Sequence, residues 1–361
     1  MQNARKTRKM YGFILTATMM ISSLAACHSA QPAQAEKQSA GSAAKIAVIR
    51  NSATDDHAIQ FVEGCRAEGE SLGYQVDMFL SNNEDARFQE LVDQAIQGDY
   101  DGLVISHGKA DYSYDLLKPA VEKGIKLVLF DTLAEKDGAA LEGVTSTAQN
   151  DFLLAELSLE HILKEVENRP VKILKLWFGP GEPPLDRRNS VYEKYEKDGL
   201  IETVQVVGPT DWHDVQGSVA NSIAALLPKY PENSIDAVWA SWDELAKGAY
   251  KSFSEAGRTD IPIISIDVSN QDINFMRESP EMWRATAAVD PNTIGRTCMR
   301  LMAKKLKGEE TPSEYNFEPH LILSDQIQEN TNMDNLADIV EGWNTSAAFH
   351  EPWMDEMRTS D

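Results

Sequence analysis

Arg50, Asp55, Asp56 and His57 gather after one short apolar run, and His107 and Asp131 follow two others. Further along, Arg187, Arg188, Trp212, Trp242, Asp267 and Asp290 occupy similar places. Carboxylates accept several hydrogen bonds, and a guanidinium donates several in a fixed planar fork. An indole face packs on the C–H face of a ring or a reduced carbon chain. Such groups converging on one place describe a site for a sugar or polyol. Closed to water, the site would reject an analogue lacking one hydroxyl, because a buried charge would be left without a partner. Simpler uses exist for each residue. Asp55 or Asp243 fits a helix N-cap, Trp239 fits a core strand, and one of Arg187 and Arg188 is expected to be solvated.

No catalytic signature accompanies these residues. The sequence has no G-x-S-x-G elbow, Walker A loop, H-E-x-x-H pair, C-x-x-C or calcium loop. Gly179-Pro180-Gly181 leads into Pro183-Pro184 and lacks the lysine of a phosphate loop. No catalytic residue, no cofactor and no metal is expected. An exported glycan-processing enzyme, using two of the carboxylates as acid and base, stays as the less favoured class.

The elements that must hold these side chains alternate. Apolar strand-like runs at 45–49, 74–80, 102–106 and 126–130 interleave with helical spacing at 58–72, 84–97, 112–123 and 151–167. The pattern restarts with strands at 171–178, 201–207, 237–241 and 261–266, and helices at 186–197, 214–227 and 243–257. Alternating βα units with apolar strands predict parallel sheets covered by helices on both faces. Asp101 to Ser106 resembles Asp236 to Ser241, and Leu129-Phe130-Asp131 resembles Ser265-Ile266-Asp267, so the chain reads as two copies of one α/β domain. The polar residues named above then fall just past strand C-termini, the edge at which open α/β sheets bind ligands. Beyond them the spacing predicts a short helix at 271–278, a strand at 284–289, a helix at 291–307 and extended pieces near 315–323. One docked helix near 333–342 and a fraying end complete the expectation.

The 361 residues carry 57 Asp+Glu against 34 Lys+Arg, a formal net charge of −23, which excludes a protein that seeks nucleic-acid phosphates. Arg5, Lys6, Arg8 and Lys9 followed by a largely apolar stretch to Ala26 read as an export signal, too short and interrupted to span a bilayer. It ends Leu24-Ala25-Ala26-Cys27, which looks like a bacterial lipobox with Cys27 as the acylated residue. Acylation would anchor the chain to a membrane. Cleavage there leaves 30 basic against 57 acidic residues, net −27. Residues 27–44 read as a flexible tether. Cys65 and Cys298 fit two buried thiols, with a disulfide open to an exported protein.

Several stretches together carry a family resemblance: Phe61-Val62-Glu63-Gly64 with Leu72-Gly73-Tyr74, Gly98 to Leu103, Val121 to Ile125 running to Asp131, Ser241 to Ala249, Ile264 to Asp267, and Ala285 to Asp290 with Ile294-Gly295. Over about 45–325 the chain resembles the type I periplasmic binding proteins, close to the monosaccharide receptors of ABC importers. The resemblance implies two Rossmann-like α/β domains joined by a three-crossover hinge, near 146–149, 289–291 and 318–322, with the ligand cleft between them. The domains would be 45–147 plus 290–319 and 148–289 plus 320–330, after a signal peptide at 1–26 and before an extension at 331–361. It also implies that Asp131 and Asp267 bind sugar hydroxyls, that Trp212 stacks on the sugar, and that Arg187 or Arg188 donates to it. The implied partners are a small carbohydrate and an ABC transporter permease, with the chain a monomer; a receptor feeding a membrane sensor would share the same fold. Departures from the ribose-binding members matter. Asp56-His57-Ala58 replaces aromatics, Trp242 replaces an Asn, Thr132 stands where an Arg is usual, and the position of the family's last-crossover Gln falls near Val289 or Asp290. Another pentose, a hexose or a polyol is therefore expected, and Arg50 with His57 leaves a sugar acid open.

Overall fold

Runs such as Ile46-Ala47-Val48-Ile49 cannot leave either face in water, so each strand must be covered by helices on both sides. The computed structural model describes residues 43–51 and 56–358; the expected leader, Cys27, most of the tether and Asp55 lie outside them. The chain begins β1 (Lys45–Arg50), α1 (Asp56–Ser71), β2 (Gln75–Leu80), α2 (Asp85–Gln97), β3 (Gly102–Ser106), α3 (Ala110–Glu122) and β4 (Lys126–Phe130). A small hairpin, β5 (Glu135–Lys136) with β6 (Ala139–Ala140), precedes β7 (Val144–Gln149). Then come α4 (Asp151–Glu165), β8 (Val171–Leu176), α5 (Pro183–Lys197), β9 (Ile201–Val207), α6 (Val215–Leu226), β10 (Ala237–Ala240), α7 (Asp243–Ala256) and β11 (Ile263–Ile266). The remainder is α8 (Asn270–Glu278), β12 (Trp283–Ala288), α9 (Pro291–Leu306), β13 (Glu314–Phe317), β14 (His320–Leu323) and α10 (Pro352–Met357).

The strands form two six-stranded sheets of the same order, β13-β7-β4-β3-β1-β2 and β14-β12-β11-β10-β8-β9. All neighbours are parallel except β12 and β14. Alternate side chains of each strand feed opposite faces. Ile49, Ile105 and Leu129 pack under α2 and α3, whereas Val48, Val104 and Val128 pack under α1 and α9. The second sheet repeats this, with Leu174 and Val238 on one face and Ile173 and Trp239 on the other. The repetition extends to detail: Asp101 Oδ2 accepts the Lys45 amide and Asp236 Oδ2 the Lys172 amide, each at 2.8 Å.

The chain passes between sheets after β7, after β12 and between β13 and β14. Residues 146–149, expected to be a crossover, instead belong to β7, and the passage falls at Asn150. Val-Thr-Ser-Thr-Ala-Gln looks like a loop because its hydroxyls are polar, but they bond inside the sheet region: Thr147 Oγ1 donates to Leu129 O at 2.8 Å and Thr145 Oγ1 to Pro312 O at 2.7 Å.

The return of α9 onto α1 is close. A Cβ on Gly295 would lie 2.2 Å from Phe61 O, and one on Gly64 2.2 Å from Asn292 O. Cys65 and Cys298 meet near this contact as buried free thiols, not as a disulfide, and burial pushes the Cys298 thiol up to about 12.

The segment 333–342 is not a helix. Met333, Leu336, Val340 and Trp343 are buried at helical spacing, but only Leu336–Asp338 forms a 3₁₀ turn. Side chains have taken the backbone donors: Asn335 Oδ1 accepts the Asn332 amide and Asn332 Oδ1 the Asp334 amide, each at 2.8 Å. Such local bonds compete with a helix. The expected fraying also fails, since Met354 of α10 is fully buried. Among the described residues no helix is long and apolar enough to cross a membrane.

Candidate functional site

At matching sheet edges the backbone turns through the left-handed region: φ is 63° at His107 after β3, 43° at Asp131 after β4 and 75° at Asp267 after β11. Residues with a Cβ seldom sit there unless the surroundings impose it. Asp131 donates its amide to Thr147 O and Asp267 its amide to Ala287 O, both at 2.9 Å. The two aspartates thus hold equivalent positions in the two lobes.

The centre of the site is a residue that the sequence reading passed over, Asp151. It opens α4 directly after the passage from the first sheet and is fully buried. Arg187 donates to its Oδ2 from Nε (3.0 Å) and Nη2 (2.7 Å), and Arg188 Nε donates to its Oδ1 (2.7 Å). Both arginines stand near the start of α5, which Pro183 and Pro184 begin. Arg188, 2% exposed, continues to Ser241 O at 2.8 Å and forks onto Asp267 at 2.8 and 3.2 Å. Burial alone would lower the Arg188 guanidinium, but Asp267 and Asp151 raise it, so it stays charged. The expectation that one of the two arginines is solvated is corrected: a single carboxylate holds both.

Asp131 is different. Its side chain is 1% exposed, and neither carboxylate oxygen has a hydrogen-bond donor. The Nη2 of Arg187, from the opposite lobe, is 3.6 Å away. Burial first, and then the Asp151 charge, push its carboxyl up to about 8. A buried acceptor without a donor is costly, and a ligand hydroxyl would relieve it. Gln149 Oε1, at the end of β7, is likewise buried without a donor.

In the same lobe as Asp131, Arg50 is 2% exposed. It donates from Nη1 to Ser106 Oγ at 3.1 Å, meets His57 Nδ1 at 3.0 Å through Nη2, and lies 5.0 Å over the Phe61 ring. Ser106 Oγ in turn meets His107 Nδ1 at 2.8 Å. Burial, followed by the positive field of Arg50, holds His107 well below its ordinary range, so it is neutral. His57 and His107 flank the Phe130 ring at 6.3 and 5.6 Å. Asp56 bridges the lobes: its Oδ2 accepts the Asn270 amide of α8 at 2.8 Å. Thr132 ties two loops of the first lobe together, accepting from the Gly108 amide after β3 at 2.9 Å.

Three candidates do not join this assembly. Trp212 is 60% exposed, its ring edge-on to Phe178 at 4.8 Å; turning into a helix start leaves it on the surface. Trp242 packs half-buried against the core of the second lobe. Asp290 caps α9, accepting from the Asn292 amide at 3.0 Å and Thr293 Oγ1 at 2.6 Å. The same strand-end rule that singled out Asp131 would have found Asp151 had β7 been recognised as a strand. Among the described residues no His, Cys, Asp and Glu cluster is arranged for a metal ion.

A family model described as a periplasmic binding protein domain matches residues 46–310. The ribose import binding protein of Escherichia coli is 24% identical over 279 residues, 77% of this chain and 90% of that protein. The crystal structure of a sugar ABC transporter from Yersinia enterocolitica superposes with a TM-score of 0.80 at 42% identity, covering 88% of this chain and 94% of the other. A 5-methylthioribose transporter solute-binding protein from Thermotoga lettingae, solved with 5-methylthioribose, gives 0.77 at 25% identity over 87% and 98%. With two sheets of one order, paired strand-end aspartates and these relatives, the chain belongs to the type I periplasmic binding proteins, in their sugar-receptor branch, and is a binding protein rather than an enzyme.

Proposed function

We propose that this chain is an exported receptor, anchored through acylated Cys27, that captures a small neutral carbohydrate between its lobes and presents the closed form to an ABC permease. The observation that carries the reading is Asp131, buried with two oxygens and no donor, beside an arginine of the other lobe. Hydroxyls supply the missing donors. Asp267 presents a second carboxylate across the cleft, already fixed by Arg188. A neutral ligand is favoured over a sugar acid because Arg187 and Arg188 are engaged by Asp151 and Asp267, and Arg50 by Ser106 and His57. Relatives named for ribose, D-allose and 5-methylthioribose support the substrate class. Thr132, in place of the arginine usual in ribose-binding members, argues against ribose itself.

Closure is a hinge motion, with the ligand stabilising the closed state in proportion to the contacts made only there. Asp56 to Asn270 and Arg187 to Asp131 are the protein's own contacts between the lobes that would accompany closure. A thermal-shift screen with pentoses, hexoses, polyols and sugar acids tests the proposal. A ligand at 100 times its Kd adds about 2.7 kcal/mol of stability, enough to raise Tm visibly. At least one neutral carbohydrate is expected to do so. A panel in which only sugar acids shift Tm, or none does, would overturn the neutral-carbohydrate reading.

A further inference from the structure

The stretch after β14 does not end on the lobe it leaves. Met333, Leu336, Val340 and Trp343 sink into the core of the second lobe, each at most 5% exposed. Gly342 (φ 88°) then passes so near His320, the first residue of β14, that a Cβ would lie 2.6 Å from its imidazole Cε1. His320 sits where the chain crosses from β13 to β14, so the segment runs directly along the hinge. From Ser346 onward it is fixed to the first lobe. Arg300 of α9 donates to Ser346 O at 2.8 Å, and Phe349 packs on Tyr315 at 4.9 Å. Lys304 pairs with Glu351, and Met354 is buried with Leu72 and Ala303. Arg300 and Arg358 both bind Glu68 Oε1, at 2.8 and 2.9 Å.

We infer that residues 327–358 are a strap that forms a fourth connection across the hinge and holds the two lobes toward the closed arrangement. Between its last anchor on one lobe, Trp343, and its first on the other, Ser346, stand only Asn344 and Thr345. At roughly 3.5 Å per residue, that link reaches about 10 Å. The same segment braces the bridge between lobes. Met333 donates its amide to Asn270 Oδ1 at 2.9 Å, and the Asn270 amide is the group that Asp56 accepts. Gln60 Nε2 of α1 adds a donor to Asp334 Oδ1 at 3.4 Å. A state in which the strap is fully seated is therefore the state in which the lobes touch. Removing it lowers the closed fraction, and ligand affinity falls by the same factor.

This inference rests on the hinge-closure part of the proposed function, not on the identity of the ligand, so it is tested without sugar. In the mature chain, the exchange rate of the Asn270 amide and the radius of gyration by small-angle X-ray scattering both report closure. One variant, Met354→Ala with Arg358→Ala, loosens the anchor on the first lobe. A second carries a protease site between Asn344 and Thr345, cut after folding, which severs the connection while leaving both packed ends in place. In both, Asn270 exchange is expected to accelerate about tenfold or more and the radius of gyration to rise, with core amides of β3 and β10 unchanged. If the cut protein keeps the parent's exchange rate and radius, or if Asn270 is already unprotected in the uncut parent, the strap does not hold the lobes closed. A sugar screen that fails would remove the ligand assignment and leave these measurements standing.

Discussion

Asp131 and Asp151 show how two buried carboxylates a short distance apart serve different ends. Asp151 is saturated by two guanidiniums, whereas Asp131 has none of its acceptor capacity used. The raised Asp131 pKa, about 8 against an ordinary 3.8, has a sign that can be checked. Between these values the folded, ligand-free protein holds a proton that the unfolded chain has lost, so stability falls as pH rises from about 4 to about 8. Asp131→Asn removes that loss. Its Tm without ligand is expected to exceed the parent's at pH 8–9 and to match it near pH 4; equal Tm values at pH 9 would show that the carboxyl is not destabilised by burial. Arg188→Ala should act the other way. It leaves Asp151 and Asp267 short of a partner, a class of change that costs about 3–5 kcal/mol, readable as a lower midpoint in urea at unchanged slope. Asp131 and Asp267 stood out in the sequence because each directly follows an apolar strand, whereas the joint hold of Asp151 on Arg187 and Arg188 left no trace in spacing. Trp212 is exposed in the structure, and a side chain's direction after a turn is not written in residue type or spacing.

At the scale of elements, the two sheets were legible because their central strands, such as β1, β3, β10 and β11, are buried, largely apolar runs that water cannot accommodate. β7 was not, since its hydroxyls find partners only through tertiary contacts. The segment 333–342 misled for the opposite reason: helical apolar spacing was real, but asparagine side chains satisfied the backbone locally and stopped a helix from forming. Helix α9 carries a sharper constraint. Because a Cβ at Gly295 would meet the Phe61 carbonyl oxygen at 2.2 Å, Gly295→Ala must push α9 from α1. The expected loss is at least the roughly 1–3 kcal/mol typical of overpacking, measured by chemical denaturation. A neutral outcome would mean that the two helices slide apart freely, contradicting the close packing.

For the molecule as a whole, net charge and fold set the boundaries, and the contact between lobes sets the function. An excess of 23 negative charges suits an exported, solvated protein and excludes polyanionic partners, but it does not identify the ligand. Under the proposed function that choice falls where three arginines and three aspartates, drawn from both lobes, leave one carboxylate without donors. In the proposed function a neutral carbohydrate fills this place. Calorimetric titration of the parent and of Asp131→Ala, with each neutral sugar or polyol that raises Tm, tests it most directly. Saturable one-to-one binding by the parent is expected, with loss of that binding in a folded Asp131→Ala protein. Undiminished affinity in the variant would contradict it.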